Sequence, residues 1–76
     1  MTPRNCESEV MKTVSYRLRL NRESRGLTKK QLEDLSGINI SVIGRIEQGT
    51  YRHIPSTTTL LLLANGLNVD LVDLLK

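Results

Sequence analysis

The fold is decided by residues 28–49, which read TKKQLEDLSGINISVIGRIEQG. Two short segments with the apolar spacing of amphipathic helices meet within this stretch at Gly37. The first helix is predicted to begin at Thr28, because Thr28 and Gln31 have the Thr-x-x-Gln spacing of a capping box. Gly37 ends this helix after about two turns, since glycine readily adopts the left-handed conformation that follows many helices.

The second segment is predicted to be a helix that begins after Asn39 and ends at Gly49. Asn39 can cap it, and its apolar face holds Val42, Ile43 and Ile46. Two short helices joined by a tight glycine-containing turn have the spacing of a helix-turn-helix. In that arrangement the second helix projects from the domain and can enter a DNA major groove, which is about 12 Å wide.

A longer helix is predicted on the N-terminal side of this motif, from about Glu9 or Val14 to Arg25. Gly26 follows it as a left-handed residue. Residues 1–7 are polar and contain a proline, which favours a flexible N-terminal arm. The core face of this helix is predicted to carry Val10, Val14 and Leu18.

Two more helices are predicted on the C-terminal side, after a loop at residues 50–55. Ser56 can cap the first of them and Asp70 the second, and Asn68 is predicted to end the first as a left-handed residue. The core is predicted to include Leu32, Leu35, Leu60, Leu63, Ala64, Leu67, Leu71 and Leu74. Residues 8–76 are thus predicted to form one all-α domain with five helices.

The composition of the 76-residue chain supports this fold class. Thirteen Leu, five Ile and five Val accompany only two Tyr, with no Phe and no Trp. A leucine-rich core with few aromatic residues suits packed helices better than a β-sandwich. A chain of this length has room for one small core. The scarcity of aromatic residues also argues against recognition of single-stranded nucleic acid by base stacking.

Several function classes are excluded by residue types that occur only once. Cys6 is the only cysteine and His53 the only histidine, so neither an intrachain disulfide nor a cysteine-based zinc cage can form. We therefore expect no enzymatic activity, no metal and no cofactor.

The longest apolar run, Leu60 to Ala64, is far shorter than the ~20 residues that span a membrane. No apolar signal-peptide core follows Met1, so we expect a cytoplasmic protein.

Positive charge is concentrated in the middle of the chain. Residues 12–52 hold nine Lys or Arg against four Asp or Glu, a net charge of +5, whereas residues 1–11 and 53–76 each have a net charge of −1. The basic part of the chain therefore contains the helix-turn-helix. This asymmetry favours a polyanionic partner, while an ordinary solvated basic face remains an alternative.

Several short pieces of the chain occur in the order typical of one known family. They are Arg22, Gly26-Leu27-Thr28, Gln31-Leu32, Leu35-Ser36-Gly37-Ile38-Asn39, Val42 to Gly49, Pro55-Ser56 and Leu67 to Asp70. With them the chain resembles the phage repressor/Cro-like (XRE-type) helix-turn-helix DNA-binding domains over about residues 14–75. The resemblance implies double-stranded DNA as the partner and five helices. The third of these helices, about residues 39–48, would lie in the major groove.

The resemblance also implies a role for individual residues. Base edges would be met by Ile40, Ser41, Gly44 and Arg45. DNA phosphates would be contacted by Thr28, Lys29, Asn39, Gln48, Tyr51, Arg52 and His53. Arg22 and Glu47 match a buried ion pair between the first and third helices, so Arg22 is expected to be structural rather than a DNA contact.

Glu33 departs from the family pattern, which usually has a small alanine at this position, packed against the recognition helix. Its carboxylate either separates the two motif helices slightly or turns outward and finds a partner. The loop before Pro55 is also longer than the common form, which affects the phosphate contacts expected there.

Some apolar residues remain after each helix has been given one buried face. They are Leu61, Leu62, Val72 and Leu75, with Leu20 as a further candidate. Contiguous exposed apolar residues mark interfaces, although scattered ones are common in monomers. We expect a homodimer, which would hold two recognition helices ~34 Å apart and read a palindromic site.

The sequence leads to one leading functional hypothesis and two alternatives. We expect a sequence-specific transcriptional regulator, in the first place a repressor, of bacterial or phage origin and associated with the nucleoid. The first alternative is a protein-interaction module of the same fold, such as an antitoxin or an adaptor. The second is a DNA-binding accessory factor of a mobile element. No small-molecule ligand is evident from the sequence.

Overall fold

α-Helices account for all the regular secondary structure in the described part of the chain. The computed structural model describes residues 3–51 and 54–76. These residues form five helices, which are α1 (Pro3–Ser24), α2 (Lys29–Ser36), α3 (Ile40–Gln48), α4 (Thr57–Leu67) and α5 (Val72–Leu75). The predicted all-α fold with five helices is confirmed.

The helix α1 begins earlier than predicted. Its first residue is Pro3, whereas the sequence pattern predicts Glu9 or Val14. Proline is favourable at the first helical position because its φ is already helical and no donor is needed there. No later Pro or Gly interrupts α1. The arm predicted for residues 1–7 is therefore helical from Pro3 onward, and the first two residues lie outside the described part.

Local capping sets the bounds of the middle helices as predicted. Thr28 Oγ1 accepts a hydrogen bond from the Gln31 N–H at 3.1 Å, and Gln31 Oε1 accepts one from the Thr28 N–H at 2.8 Å. Gly37 and Gly49 follow α2 and α3 with left-handed φ angles of 78° and 74°. Ser56 caps α4 by accepting the Thr59 N–H at 3.2 Å. These contacts are all local in the sequence, so they could be predicted from residue spacing.

The cap predicted for the last helix is wrong. α5 follows Leu71 and has no side-chain cap. The N–H of Asp73, which a side-chain cap at Asp70 would bind, donates instead to the Asp70 carbonyl at 2.9 Å. The Asp73 carboxylate in turn accepts the Asp70 N–H at 3.1 Å.

The core lies where α2 packs against α3 and α4, and where α1 packs against α3 and α5. Its buried apolar residues are Val14, Leu18, Leu32, Ile43, Ile46, Leu60, Leu63, Ala64, Leu67 and Leu74. The prediction that Val10 and Leu35 belong to the core is wrong, because Val10 is 37% exposed and Leu35 is 59% exposed. α2 turns Leu32 and Ser36 inward at i, i+4 spacing, which leaves Leu35 on its outer side.

The helices are short or strongly polar compared with membrane spans. Within residues 3–51 and 54–76, no helix combines the length and the apolar character needed to cross a membrane.

Candidate nucleic-acid interface

The turn between α2 and α3 is held by two short-range hydrogen bonds. The Gly37 N–H donates to the Glu33 carbonyl at 2.8 Å, and the Ile38 N–H donates to Ser36 Oγ at 3.1 Å. Gly37 has φ of 78°, a conformation that is strained for residues with a Cβ. The glycine therefore lets the chain reverse direction at once, so that α3 can begin at Ile40.

The start of α3 is held by two side chains. Asn39 Oδ1 accepts a hydrogen bond from the Ser41 N–H at 2.7 Å. Glu33, on α2, accepts one from the Ile40 N–H through Oε2 at 2.9 Å. The first four N–H groups of a helix have no partner within the helix, and these two bonds satisfy the first two of them, those of Ile40 and Ser41. Asn39, expected to contact a phosphate, thus uses its side-chain oxygen within the protein.

One face of α3 is buried and the opposite face is open. Ile43 and Ile46 are fully buried, whereas Ser41 and Arg45 are exposed and Gly44 is half-buried. Helical spacing of i, i+1, i+4 and i+5 puts four residues along one stripe, here called the outer stripe. It consists of Ile40, Ser41, Gly44 and Arg45, which are the residues predicted to meet base edges.

Gly44 is not required by packing within the described chain. A Cβ built at this position would have Lys29 Nζ as its nearest neighbour, at 4.0 Å. That distance is an ordinary van der Waals contact with a flexible side chain. The contact also shows that Lys29, at the start of α2, lies beside the outer stripe.

The residues predicted to contact phosphates lie on separate segments. Thr28 caps α2, Lys29 is its first residue, and Gln48 is exposed at the end of α3. Tyr51 is half-buried and packs against the core, so its ring position is set by the fold. The predicted contacts that lie outside the described residues are Arg52 and His53.

Arg22 of α1 and Glu47 of α3 form a buried, bidentate ion pair. Arg22 Nε donates to Glu47 Oε2 at 2.7 Å, and Nη2 donates to Oε1 at 3.0 Å. Arg22 Nη1 also donates to the Leu27 carbonyl at 2.7 Å. The hydrogen bonds to Glu47 raise the pKa of Arg22 above its usual value. The pair ties α3 to α1, and the Arg22 side chain is only 10% exposed.

Glu33 has two partners that the sequence did not identify. Its Oε1 accepts a hydrogen bond from Lys30 Nζ at 2.7 Å, and its Oε2 accepts the Ile40 N–H. These bonds, the one from Lys30 first, lower the pKa of the Glu33 carboxyl. The carboxylate thus has partners, as one of the two outcomes considered for this residue requires, and the side chain is 22% exposed. The difference from the family pattern singled out Glu33 in the sequence, but it did not identify Lys30 and Ile40 as its partners.

The residues predicted for a dimer interface lie on three neighbouring helices. Each of them is exposed, namely Leu20 on α1, Leu61 and Leu62 on α4, and Val72 and Leu75 on α5. α5 packs against both α1 and α4. The fold thus brings α5 into contact with both of the other helices that carry these residues.

A helix-turn-helix whose second helix buries one face and exposes Ser41 and Arg45 on the other has the arrangement of a DNA-binding domain. The chain belongs to the helix-turn-helix family HTH_3, whose family model matches residues 18–74. The resemblance to Cro/repressor-type (XRE) domains is thereby confirmed. This family consists of DNA-binding helix-turn-helix domains.

Solved structures of similar proteins agree with this assignment. The restriction-modification controller protein C.AhdI from Aeromonas hydrophila is 31% identical, with a TM-score of 0.77 and a match that covers 84% of this chain and 94% of that chain. An HTH_3 family transcriptional regulator from Vibrio cholerae is 27% identical, with a TM-score of 0.82, and the match covers 88% of this chain and 36% of that chain.

A third structure is similar in fold alone. It is the hypothetical transcription factor NHTF from Neisseria, which is 19% identical, with a TM-score of 0.80 over 88% of this chain and 75% of that chain. No curated protein matches the chain significantly.

Proposed function

We propose that this protein is a sequence-specific, double-stranded-DNA-binding regulator of transcription that inserts α3 into the major groove. The observation that carries the proposal is the outer stripe of α3, which lies opposite the buried Ile43 and Ile46. The major groove admits an α-helix, and each base pair presents a distinct pattern of donors and acceptors there. Similarity to a restriction-modification controller protein and to a transcriptional regulator supports a role in transcription.

Arg45 is the main base reader in this proposal. It is exposed and forms no ion pair within residues 3–51 and 54–76. Its guanidinium can donate two hydrogen bonds to guanine O6 and N7, which discriminates against other bases by ~1–3 kcal/mol. Ser41 can bond a base or a phosphate, and Ile40 can contact a thymine methyl group. Gly44 has no side chain, so the DNA can approach the helix closely at this point.

Phosphate contacts hold the helix in register. Lys29 lies beside Gly44 and can neutralise a phosphate at one edge of the outer stripe. Thr28 begins the same helix, whose N-terminus favours anions. Further phosphate contacts are proposed for Asn39, Gln48, Tyr51, Arg52 and His53. These contacts position the protein and carry no sequence information.

A homodimer completes the proposal. Two copies would associate through the exposed apolar residues Leu61, Leu62, Val72 and Leu75. Association would be favourable because it removes these side chains from water. Two-fold symmetry sets two recognition helices ~34 Å apart, so that each reads one half of a palindromic operator. Repression would follow from occupancy of that operator.

Selection of bound sequences from a random duplex pool tests this proposal directly. We expect enrichment of a palindrome whose half-site centres are about 10 base pairs apart, one turn of the duplex. Light scattering of the free protein should give the mass of two chains. The absence of any enriched sequence, even at low salt, would contradict DNA reading.

The exposed apolar residues of α4 and α5 also suit a second candidate function, docking of a different protein. A protein-interaction module of this fold would use the same residues but would not need the outer stripe. A monomer without DNA affinity at low salt would support this candidate. A dimer that enriches a palindrome would exclude it as the main function.

A further inference from the structure

The Glu33 carboxylate connects the two helices of the motif. It lies on α2, yet it accepts the N–H of Ile40, the first residue of α3, at 2.9 Å across seven positions of sequence. The other carboxylate oxygen accepts Lys30 Nζ at 2.7 Å. The Glu33 side chain is 22% exposed, so this arrangement lies at the edge of the protein surface.

We propose that Glu33 is a positioning residue for DNA recognition, which holds the first turn of α3 so that Ile40 and Ser41 meet the correct bases. This inference rests on the proposed function, because it assigns a residue to the same site. Glu33 touches no base in this proposal. It acts through the backbone of Ile40.

The position of the contact explains why it would affect specificity more than fold stability. Ile40 and Ser41 open the outer stripe, and a hydrogen bond at Ile40 limits rotation of this first turn. Asn39 holds the next N–H, that of Ser41, at 2.7 Å. The turn is thus held from α2 as well as from its own cap. Ile43 and Ile46, which supply the packing of α3, lie further along the helix.

Lys30 makes the carboxylate compatible with a DNA partner. A lone negative charge beside the outer stripe would repel phosphates. The Lys30 ammonium lies 2.7 Å from Glu33 and 3.7 Å from Asp34, so it offsets negative charge at this edge. Glu33 and Asp34 therefore share one cation, but Glu33 alone is bonded to α3.

The test uses three variants of the full chain. Glu33→Ala removes both the acceptor and the charge, and Glu33→Gln keeps an acceptor oxygen but removes the charge. Asp34→Ala is the matched control, because it removes one negative charge from the adjacent, exposed residue that has no bond to α3. Thermal unfolding confirms that each variant is folded before binding is measured.

The first measurement requires no DNA. Amide hydrogen exchange at Ile40 should accelerate about tenfold in Glu33→Ala, since a hydrogen bond to a charged acceptor is lost. Glu33→Gln should be intermediate, and Asp34→Ala should match the unaltered protein. Equal exchange in Glu33→Ala and the unaltered protein would overturn the inference, whatever the protein binds.

The second measurement compares affinity for the selected duplex with affinity for a random duplex. Glu33→Ala should reduce this ratio about three- to tenfold, a loss of the size expected for one hydrogen bond. Glu33→Gln should keep most of the ratio found for the unaltered protein, and Asp34→Ala should leave the ratio unchanged. An equal effect of Glu33→Ala on both duplexes would overturn the positioning role. An unaltered protein that prefers no sequence would instead refute the proposed function.

Discussion

Gly66 of α4 faces Ser36 of α2 so closely that little room for a side chain remains at position 66. A Cβ built on Gly66 would be 3.0 Å from Ser36 Cβ, 3.1 Å from the Ser36 nitrogen and 3.2 Å from its Cα. These distances are shorter than a carbon atom normally tolerates. Glycine at position 66 thus allows α2 to pack closely on α4, and α2 in turn sets the position of the turn into α3.

Gly66→Ala should therefore destabilise the fold. Alanine favours a helix over glycine by about 1 kcal/mol, but overpacking typically costs about 1–3 kcal/mol. We expect the unfavourable contact to dominate, because its atoms are the backbone nitrogen and Cα of Ser36 and the Cβ attached to that Cα, none of which can rotate away. Urea unfolding should show a lower midpoint for Gly66→Ala than for the unaltered protein.

Gly44→Ala is the matched comparison and should have the opposite effect on stability. Its Cβ would meet only Lys29 Nζ at 4.0 Å, so the helical preference of alanine should stabilise the protein by about 1 kcal/mol. The same methyl group should weaken binding to the selected duplex, because it lies on the outer stripe. Stabilisation with unchanged DNA affinity would contradict the proposed close approach of DNA at Gly44.

Replacement of Glu47 should lower the free energy of unfolding more than most single substitutions. Its side chain is 2% exposed and pairs with Arg22 through two hydrogen bonds. Glu47→Ala would leave the buried guanidinium without its bidentate carboxylate and with the Leu27 carbonyl as its hydrogen-bond acceptor, and breaking a buried ion pair in this way typically costs about 3–5 kcal/mol. The double variant Arg22→Leu with Glu47→Leu should lose much less, since no buried charge remains unpaired. Chemical denaturation of both variants checks this, and an equal loss in the two would contradict it.

The stability contributed by Glu33 should depend on pH. Hydrogen bonds from Lys30 and then from Ile40 lower the pKa of this carboxyl below its usual 4.5 in the folded protein. A group with a lower pKa in the folded state stabilises it above the unfolded pKa, and the contribution disappears as pH falls through the folded pKa.

The difference in unfolding free energy between the unaltered protein and Glu33→Gln should thus be constant above the usual pKa of 4.5. It should shrink at lower pH. Urea unfolding from about pH 7 to about pH 2 measures it. A difference that stays constant over the whole range would show that the carboxylate is not stabilised in the fold.

Arg45→Ala and Lys29→Ala should separate base reading from phosphate binding. Arg45→Ala should relax the base preference at one position of each half-site, at a cost of ~1–3 kcal/mol for the selected duplex. Lys29→Ala should weaken binding to all duplexes alike. It should also reduce the slope of the logarithm of the binding constant against the logarithm of salt concentration by about one. If both variants lost affinity equally for selected and random DNA, the assignment of Arg45 as a base-contacting residue would be wrong.

Exposed apolar residues should control association without affecting the fold. Leu61 and Val72 are about half exposed and lie outside the core, so Leu61→Lys and Val72→Lys should leave the unfolding free energy within about 0.5 kcal/mol. Both should shift the protein from two chains to one in light scattering, because a buried unpaired charge is unfavourable. A variant that remains a dimer would place the interface elsewhere.

The sequence by itself determined the helix bounds of the motif. Thr28 with Gln31, Asn39 with Ser41, and the left-handed Gly37 and Gly49 act over at most a few positions of the chain. Such local contacts depend on residue type and spacing, which can be read directly. The stripe that contains Ser41 and Arg45 follows from the same periodicity.

Only the tertiary structure decided how those helices face one another. Leu32 and Leu35 are both compatible with an amphipathic helix, but α2 buries Leu32 and Ser36 because α4 packs closely at Gly66. The hydrogen bond that the Ile40 N–H donates to Glu33 likewise depends on the angle between α2 and α3. Packing direction is the combined result of contacts between residues distant in the chain, and local patterns do not specify it.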